Sequence, residues 1–262
     1  EEILDPQTGQ VVEIRLICVP ATWNGFLVVY AHGYVSPYAP LALPLEELGQ
    51  VNGLELISGI LDSGFAFATT SYTKNGFAVE AADSDLDRLV HDFEAQYGDA
   101  VVLLTGASEG GIITALQIET QPDIYDGGLA LCGPVGGLPY QIQYLGDFRV
   151  IFDYLFPDVF DFGAVDVPAD AYLDWDTVYT PTIISTLNAD PTKVSQLFRV
   201  TQAAQDWRDL SGSRLNTTIQ VLYYNIFGMN DFIQTAGGVP YGNTDVWYWG
   251  LGPRATWQLN RG

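Results

Sequence analysis

Basic residues, histidine and cysteine are all scarce in this chain of 262 residues. Ten Lys and Arg stand against 32 Asp and Glu, which gives a formal net charge of −22. A surface this acidic repels nucleic acid and anionic membranes, so we expect neither as a partner. The same acidity favours a secreted or periplasmic protein, with a cytoplasmic location as the alternative.

Three further absences narrow the class of protein: a membrane span, a disulfide and a metal or cofactor site. No run of eighteen apolar residues is free of charges, Pro or Gly, so no membrane span is predicted. The two cysteines, Cys18 and Cys132, lie in apolar runs, and we interpret them as small buried hydrophobes in preference to a disulfide. No spacing of ligand residues indicates a metal site, and no cofactor is expected.

The first half of the chain alternates between apolar strands and amphipathic helices, which predicts an α/β fold with a mostly parallel sheet flanked by helices. The predicted strands are Val11–Val19, Gly25–Ala31, Phe65–Ser71, Ala100–Leu104 and Gly127–Cys132. The predicted helices are Leu54–Leu61, Ala81–Tyr97 and Ile112–Glu119.

The alternation stops after Gly133, and this change predicts the domain organisation. Residues 1–133 would form the core. Residues 134–238 are rich in aromatic residues and Asp, with helical patches such as Lys193–Asp206, which favours a largely helical cap. Residues 239–262 would return toward the core and stop before the last strands of the sheet.

The pattern with the most chemical content is Gly-x-Ser-x-Gly, from Gly106 to Gly110, with Ser108 at its centre. It follows a five-residue apolar strand and precedes an apolar helix. Such a strand–turn–helix lifts a serine hydroxyl above the sheet, and side chains at either glycine position would collide with neighbouring backbone. The alternative is a Gly- and Ser-rich turn without chemistry.

With these motifs in place, the run from Phe26 to Gly137 resembles the first half of an α/β-hydrolase. The resemblance rests on four segments: the strand ending in His32-Gly33, the strand ending in Ser71-Tyr72, the Gly106–Gly110 turn, and the strand ending in Leu131-Cys132-Gly133.

This resemblance implies a serine hydrolase of the esterase or lipase type, acting on a small or polymeric ester. Ser108 would be the nucleophile, and the backbone amides of Tyr34 and Glu109 would form the oxyanion hole. His32 and Gly33 would support that loop, although His-Gly alone also fits an ordinary strand-end turn. A serine peptidase of the prolyl-oligopeptidase type fits the same turn.

The sequence departs from the family pattern in its histidines. In this fold an acid and then a histidine follow the serine, but the only histidines are His32 and His91, both before Ser108. We expect neither to reach the Ser108 hydroxyl. A C-terminal segment or second chain would then complete the triad. The alternative is a catalytically inert, hydrolase-like binding protein.

Overall fold

The computed structural model describes residues 1–45, 48 and 54–259. The chain divides into two compact units, Glu1–Gly136 and Gly137–Gly262.

The first unit contains a six-stranded sheet. Its strands are β1 (Glu2–Leu4), β2 (Val11–Cys18), β3 (Phe26–Ala31), β4 (Ala66–Thr70), β5 (Val101–Ala107) and β6 (Gly127–Leu131), in the order β1-β2-β4-β3-β5-β6. The four strands β4, β3, β5 and β6 are parallel, whereas β1 and β2 pair antiparallel. The prediction of a mostly parallel sheet is confirmed. β1 was not predicted, because three residues are too few to show an alternation.

Helices cover both faces of the central strands. Alternate side chains of a strand point to opposite faces, and because those of the central strands are apolar on both faces, both faces need to be covered. On one face, Leu27 and Val29 of β3 are fully buried in a cluster with residues of two helices. These helices are α2 (Val79–Tyr97) and α3 (Glu109–Thr120). On the other face, Tyr30 and Phe67 pack with Ile57 of α1 (Leu54–Asp62). The helices predicted at these three places are therefore present, within a few residues of the predicted ends.

The edge strand β6 departs from the prediction of a buried strand. Leu129 is 58% exposed and Leu131 is 43% exposed, and Cys132 is also exposed. The expectation of a buried Cys132 was wrong because, in the described part of the chain, no strand pairs with the outer edge of β6. Both cysteines are free, and partial burial raises the pKa of the Cys18 thiol.

The second unit is helical. It contains α4 (Leu138–Leu155), a 3₁₀ turn (Ala171–Asp174), a π-helical turn (Trp175–Tyr179), α5 (Thr180–Ala189), α6 (Pro191–Thr201), α7 (Leu210–Ala236) and α8 (Pro253–Leu259). None of the helices in the described ranges is both long and apolar enough to cross a membrane. A position of this unit over Ser108 stays a prediction.

A fully buried arginine, Arg149, joins several segments of the helical unit. Arg149 donates to both oxygens of Asp153 at 2.8 and 2.9 Å and to the side-chain oxygen of Asn225 on α7 at 2.6 Å. Its guanidinium also lies 3.9 Å from the ring centroid of Phe160. Burial lowers the pKa of Arg149 and raises the pKa of Asp153 to about 6. Removing one partner of such a pair would leave an uncompensated buried charge.

Candidate active site

Ser108 occupies a strained turn between the end of β5 and the start of α3. Its backbone has φ 57° and ψ −119°, a region that costs a residue other than glycine about 1–3 kcal/mol. The residue is exposed, and its Oγ has no hydrogen-bond partner in the described part of the chain. The predicted sharp turn at the carboxyl end of a central parallel strand is therefore present.

Two glycines allow this turn to lie against the end of β3. A Cβ added at Gly106 would lie 2.4 Å from the carbonyl oxygen of Gly110 and 2.6 Å from that of Ala31. A Cβ at Gly110 would lie 2.0 Å from the Ala31 oxygen and 2.8 Å from that of His32. Because all of these atoms are backbone, neither position has room for a side chain.

The other side of the turn lies against the end of β6, through residues that the sequence did not single out for this role. The Ser108 amide donates to the carbonyl oxygen of Leu131 at 2.9 Å. A Cβ at Gly111 would lie 2.7 Å from that oxygen, and one at Gly133 would lie 2.7 Å from the carbonyl carbon of Gly111. The only sequence signals were Gly111, directly after the motif, and Gly133, just after the strand.

His32 lies in the loop after β3, where its side chain is engaged within the loop. It is 2% exposed, and its Nδ1 lies 2.7 Å from the carbonyl oxygen of Gly33. A carbonyl only accepts, so Nδ1 carries a proton. The imidazole stacks on the ring of Tyr72 with centroids 3.9 Å apart. This geometry is that of a residue that positions the loop containing Gly33 and Tyr34.

Tyr72 contacts the His32 loop, a role that sequence analysis did not assign to it. It is fully buried, has φ 55°, and donates its hydroxyl proton to the carbonyl oxygen of His32 at 3.2 Å. The Ser71-Tyr72 strand end was visible in the sequence. The positive φ and the contact across 40 residues were not, because both depend on how two loops meet.

The side chain of Glu109 has a second role that the sequence did not indicate. The residue is only 6% exposed, and its Oε1 accepts a hydrogen bond from the Ala78 amide at 2.7 Å. The loop containing Ala78 is in turn bonded to the loop after β3, where the Gly76 amide donates to the Val35 oxygen at 2.8 Å. Glu109 therefore ties the serine turn to the two loops beside it.

Neither histidine is bonded to the nucleophile candidate. His91 is exposed on α2, and no hydrogen bond joins Ser108 Oγ to either imidazole. Within the described ranges, no group of three or more His, Cys, Asp or Glu side chains is arranged to hold a metal ion.

Comparison with known proteins gives structural similarity only. No protein-family model matches the chain, and no curated protein sequence matches it. Among solved structures, the rice cell wall degrading esterase LipA from Xanthomonas oryzae is 10% identical, with 87% of this chain and 76% of that chain covered and a TM-score of 0.42. A lipase in its open form is 17% identical, with 96% and 86% covered and a TM-score of 0.40.

A monoacylglycerol lipase from Paleococcus ferrophilus is 18% identical over 55% of this chain and 52% of that chain, with a TM-score of 0.38. The chain thus spans about half the length of that structure. In the chain itself, the first unit has a mostly parallel sheet flanked by helices, with the serine turn at the carboxyl end of β5.

Proposed function

We propose that this protein is a serine hydrolase that cleaves carboxylic esters through an acyl-enzyme on Ser108. The observation that carries the proposal is the left-handed backbone of an exposed serine, held by close backbone contacts on two sides. Strain of this kind persists only where the surrounding structure enforces it, and it is concentrated at functional sites. If the turn had no chemical role, glycine at position 108 would adopt the same backbone conformation without this strain.

The proposed reaction has two steps. Ser108 Oγ attacks the ester carbonyl carbon and loses its proton to a base, while the amides of Tyr34 and Glu109 stabilise the oxyanion. Collapse of the intermediate breaks the bond to the alcohol, which takes the proton from the base. Water then attacks the acyl-enzyme in the same way, releasing the carboxylic acid and restoring Ser108.

The base is proposed to come from a further segment or from a second chain, which would supply a histidine and an acid. Two observations support this. Neither His32 nor His91 is bonded to Ser108, and the outer edge of β6 has no strand paired with it in the described part of the chain. Because β6 ends beside the serine turn, a strand added at this edge would bring its own carboxyl-terminal loop close to Ser108.

A fluorophosphonate probe tests the assignment, because it bonds to an activated serine. We expect slow labelling of the 262-residue chain alone and faster labelling when free imidazole is added as an external base. Peptide mapping should place the label on Ser108. Labelling should be lost in Ser108→Ala and kept in Ser84→Ala, which removes another exposed hydroxyl. Labelling elsewhere, or none with imidazole present, would overturn the proposal.

The second candidate is a catalytically inert, hydrolase-like binding protein. It is favoured by the observation that neither histidine is hydrogen-bonded to Ser108. It predicts no Ser108-dependent labelling under any condition. A peptidase of the prolyl-oligopeptidase type is distinguished by substrate: it would release p-nitroaniline from a prolyl p-nitroanilide faster than p-nitrophenol from a butyrate ester. The acid-rich composition still predicts a secreted or periplasmic location.

A further inference from the structure

A groove in the helical unit is lined by aromatic side chains that remain largely exposed. Its volume is about 460 Å³. Trp249 and Tyr140 are each 78% exposed, and Trp247 is 51% exposed. Leaving three large rings in water forgoes the free energy of burying them, which is about 25 cal/mol per Å² of apolar surface. Exposed aromatic groups gathered in one place in this way mark binding sites.

Hydrogen bonds to α4 anchor the segment that carries Trp247 and Trp249. Tyr248, between them, is 4% exposed and donates its hydroxyl proton to Asp147 Oδ1 on α4 at 2.7 Å. Tyr241 donates to the same oxygen at 3.1 Å, and burial raises the pKa of both phenols, that of Tyr248 to about 12. Both phenols therefore stay protonated donors at neutral pH.

Close packing adds to this anchor. A Cβ at Gly146 of α4 would lie 2.2 Å from the ring of Tyr241, so only glycine admits the ring there. The backbone that carries Trp247 and Trp249 is thus anchored before any ligand arrives, and the two indoles lie with their centroids 5.8 Å apart. Preorganisation of this kind reduces the entropic cost of binding.

The polar groups of the groove restrict the chemistry of the ligand. Gln143 and Asp147 line it together with Arg199, whose guanidinium pairs with no carboxylate in the described part of the chain. A fatty acyl chain would desolvate these groups without bonding them, which is unfavourable. The positive charge of Arg199 disfavours binding of a quaternary ammonium group. The negative charge of Asp147, together with the net charge of −22, disfavours binding of a simple anion.

A neutral ring with an apolar face and a polar edge can contact the aromatic side chains and bond to the polar side chains of the groove. We infer that this groove binds an oligosaccharide, with the C–H faces of its sugars on Trp247 and Trp249 and its hydroxyls bonded to Gln143 and Arg199. Aromatic faces suit this contact because they combine a large flat surface with weak C–H interactions. The site lies within the helical unit, so the inference stands independently of the proposed esterase function.

The test is a tryptophan-fluorescence titration of the 262-residue chain with xylohexaose, cellohexaose and mannohexaose. We expect saturable binding of at least one, with a Kd of about 0.1–1 mM. Trp249→Ala should weaken this binding about tenfold or more. Trp207→Ala is the matched control: Trp207 is also 78% exposed but lies outside the groove, so its removal should leave the Kd unchanged.

Three results would overturn the inference. One is no saturable binding of any of the three hexasaccharides. Another is an equal loss of binding in Trp207→Ala and Trp249→Ala. The third is sedimentation that shows a dimer of the wild type and a monomer of Trp249→Ala, since the rings would then be covered by a second copy. Circular dichroism confirms that each variant is folded.

Discussion

Replacing Gly110 with alanine is the sharpest perturbation of the serine turn. The new Cβ would lie 2.0 Å from the carbonyl oxygen of Ala31 and 2.7 Å from its carbon. Relief requires α3 and the end of β3 to separate by more than about 1 Å, because no flexible side chain is available to move. We expect the free energy of unfolding of this unit to fall by about 3 kcal/mol or more.

Gly59→Ala is the matched control. Gly59 lies in α1, is exposed, and an added Cβ there meets nothing within 4 Å. The exchange should raise the free energy of unfolding by about 0.5–1 kcal/mol, because alanine has a higher helix propensity than glycine. Hydrogen exchange of peptides covering β3 and β5 measures the local free energy of opening in both variants. Equal effects of the two exchanges would refute the claim that close backbone contacts fix the position of Ser108.

Other perturbations test separate parts of the structure. Ser108→Gly should raise the free energy of unfolding by about 1–2 kcal/mol in urea denaturation, because glycine adopts φ 57° without strain. Tyr72→Phe removes the bond to the His32 carbonyl and should slow fluorophosphonate labelling while costing only about 1 kcal/mol of stability. Asp153→Asn keeps the shape of the side chain and removes its titration, so it is the reference for the pH dependence that Asp153 contributes. The folded pKa of Asp153 is about 6, above its unfolded value, so this group favours folding at low pH and loses that contribution as pH rises through 6. The wild type should therefore lose stability more steeply than Asp153→Asn between pH 4.5 and 6.5; an equal slope in urea melts would contradict the raised pKa.

The parts of the fold that follow from local sequence were predictable. An apolar strand followed by Gly106-x-Ser108-x-Gly110 and an apolar helix specifies the turn within a dozen residues, and the helical spacing at Leu86, Leu89 and Phe93 specifies α2. In each case the period of the apolar residues matches one secondary structure.

The features that depend on contacts between distant segments were not predictable. The sequence of β6 reads as a buried strand because Leu129 and Leu131 are apolar, yet burial depends on whether another element covers them. In the same way, the bond from Tyr72 to His32 and the bond from Ala78 to Glu109 join residues 40 and 31 positions apart. No local period indicates such pairs.

Trapping of the acyl-enzyme tests the central claim most directly. The 262-residue chain is incubated with p-nitrophenyl acetate and imidazole, quenched in acid, and digested for mass spectrometry. The account predicts that the peptide containing Ser108 gains the mass of one acetyl group, and that Ser108→Ala gains none at any other serine. Acetylation spread over several exposed residues, with Ser108 no more modified than Ser84, would contradict it.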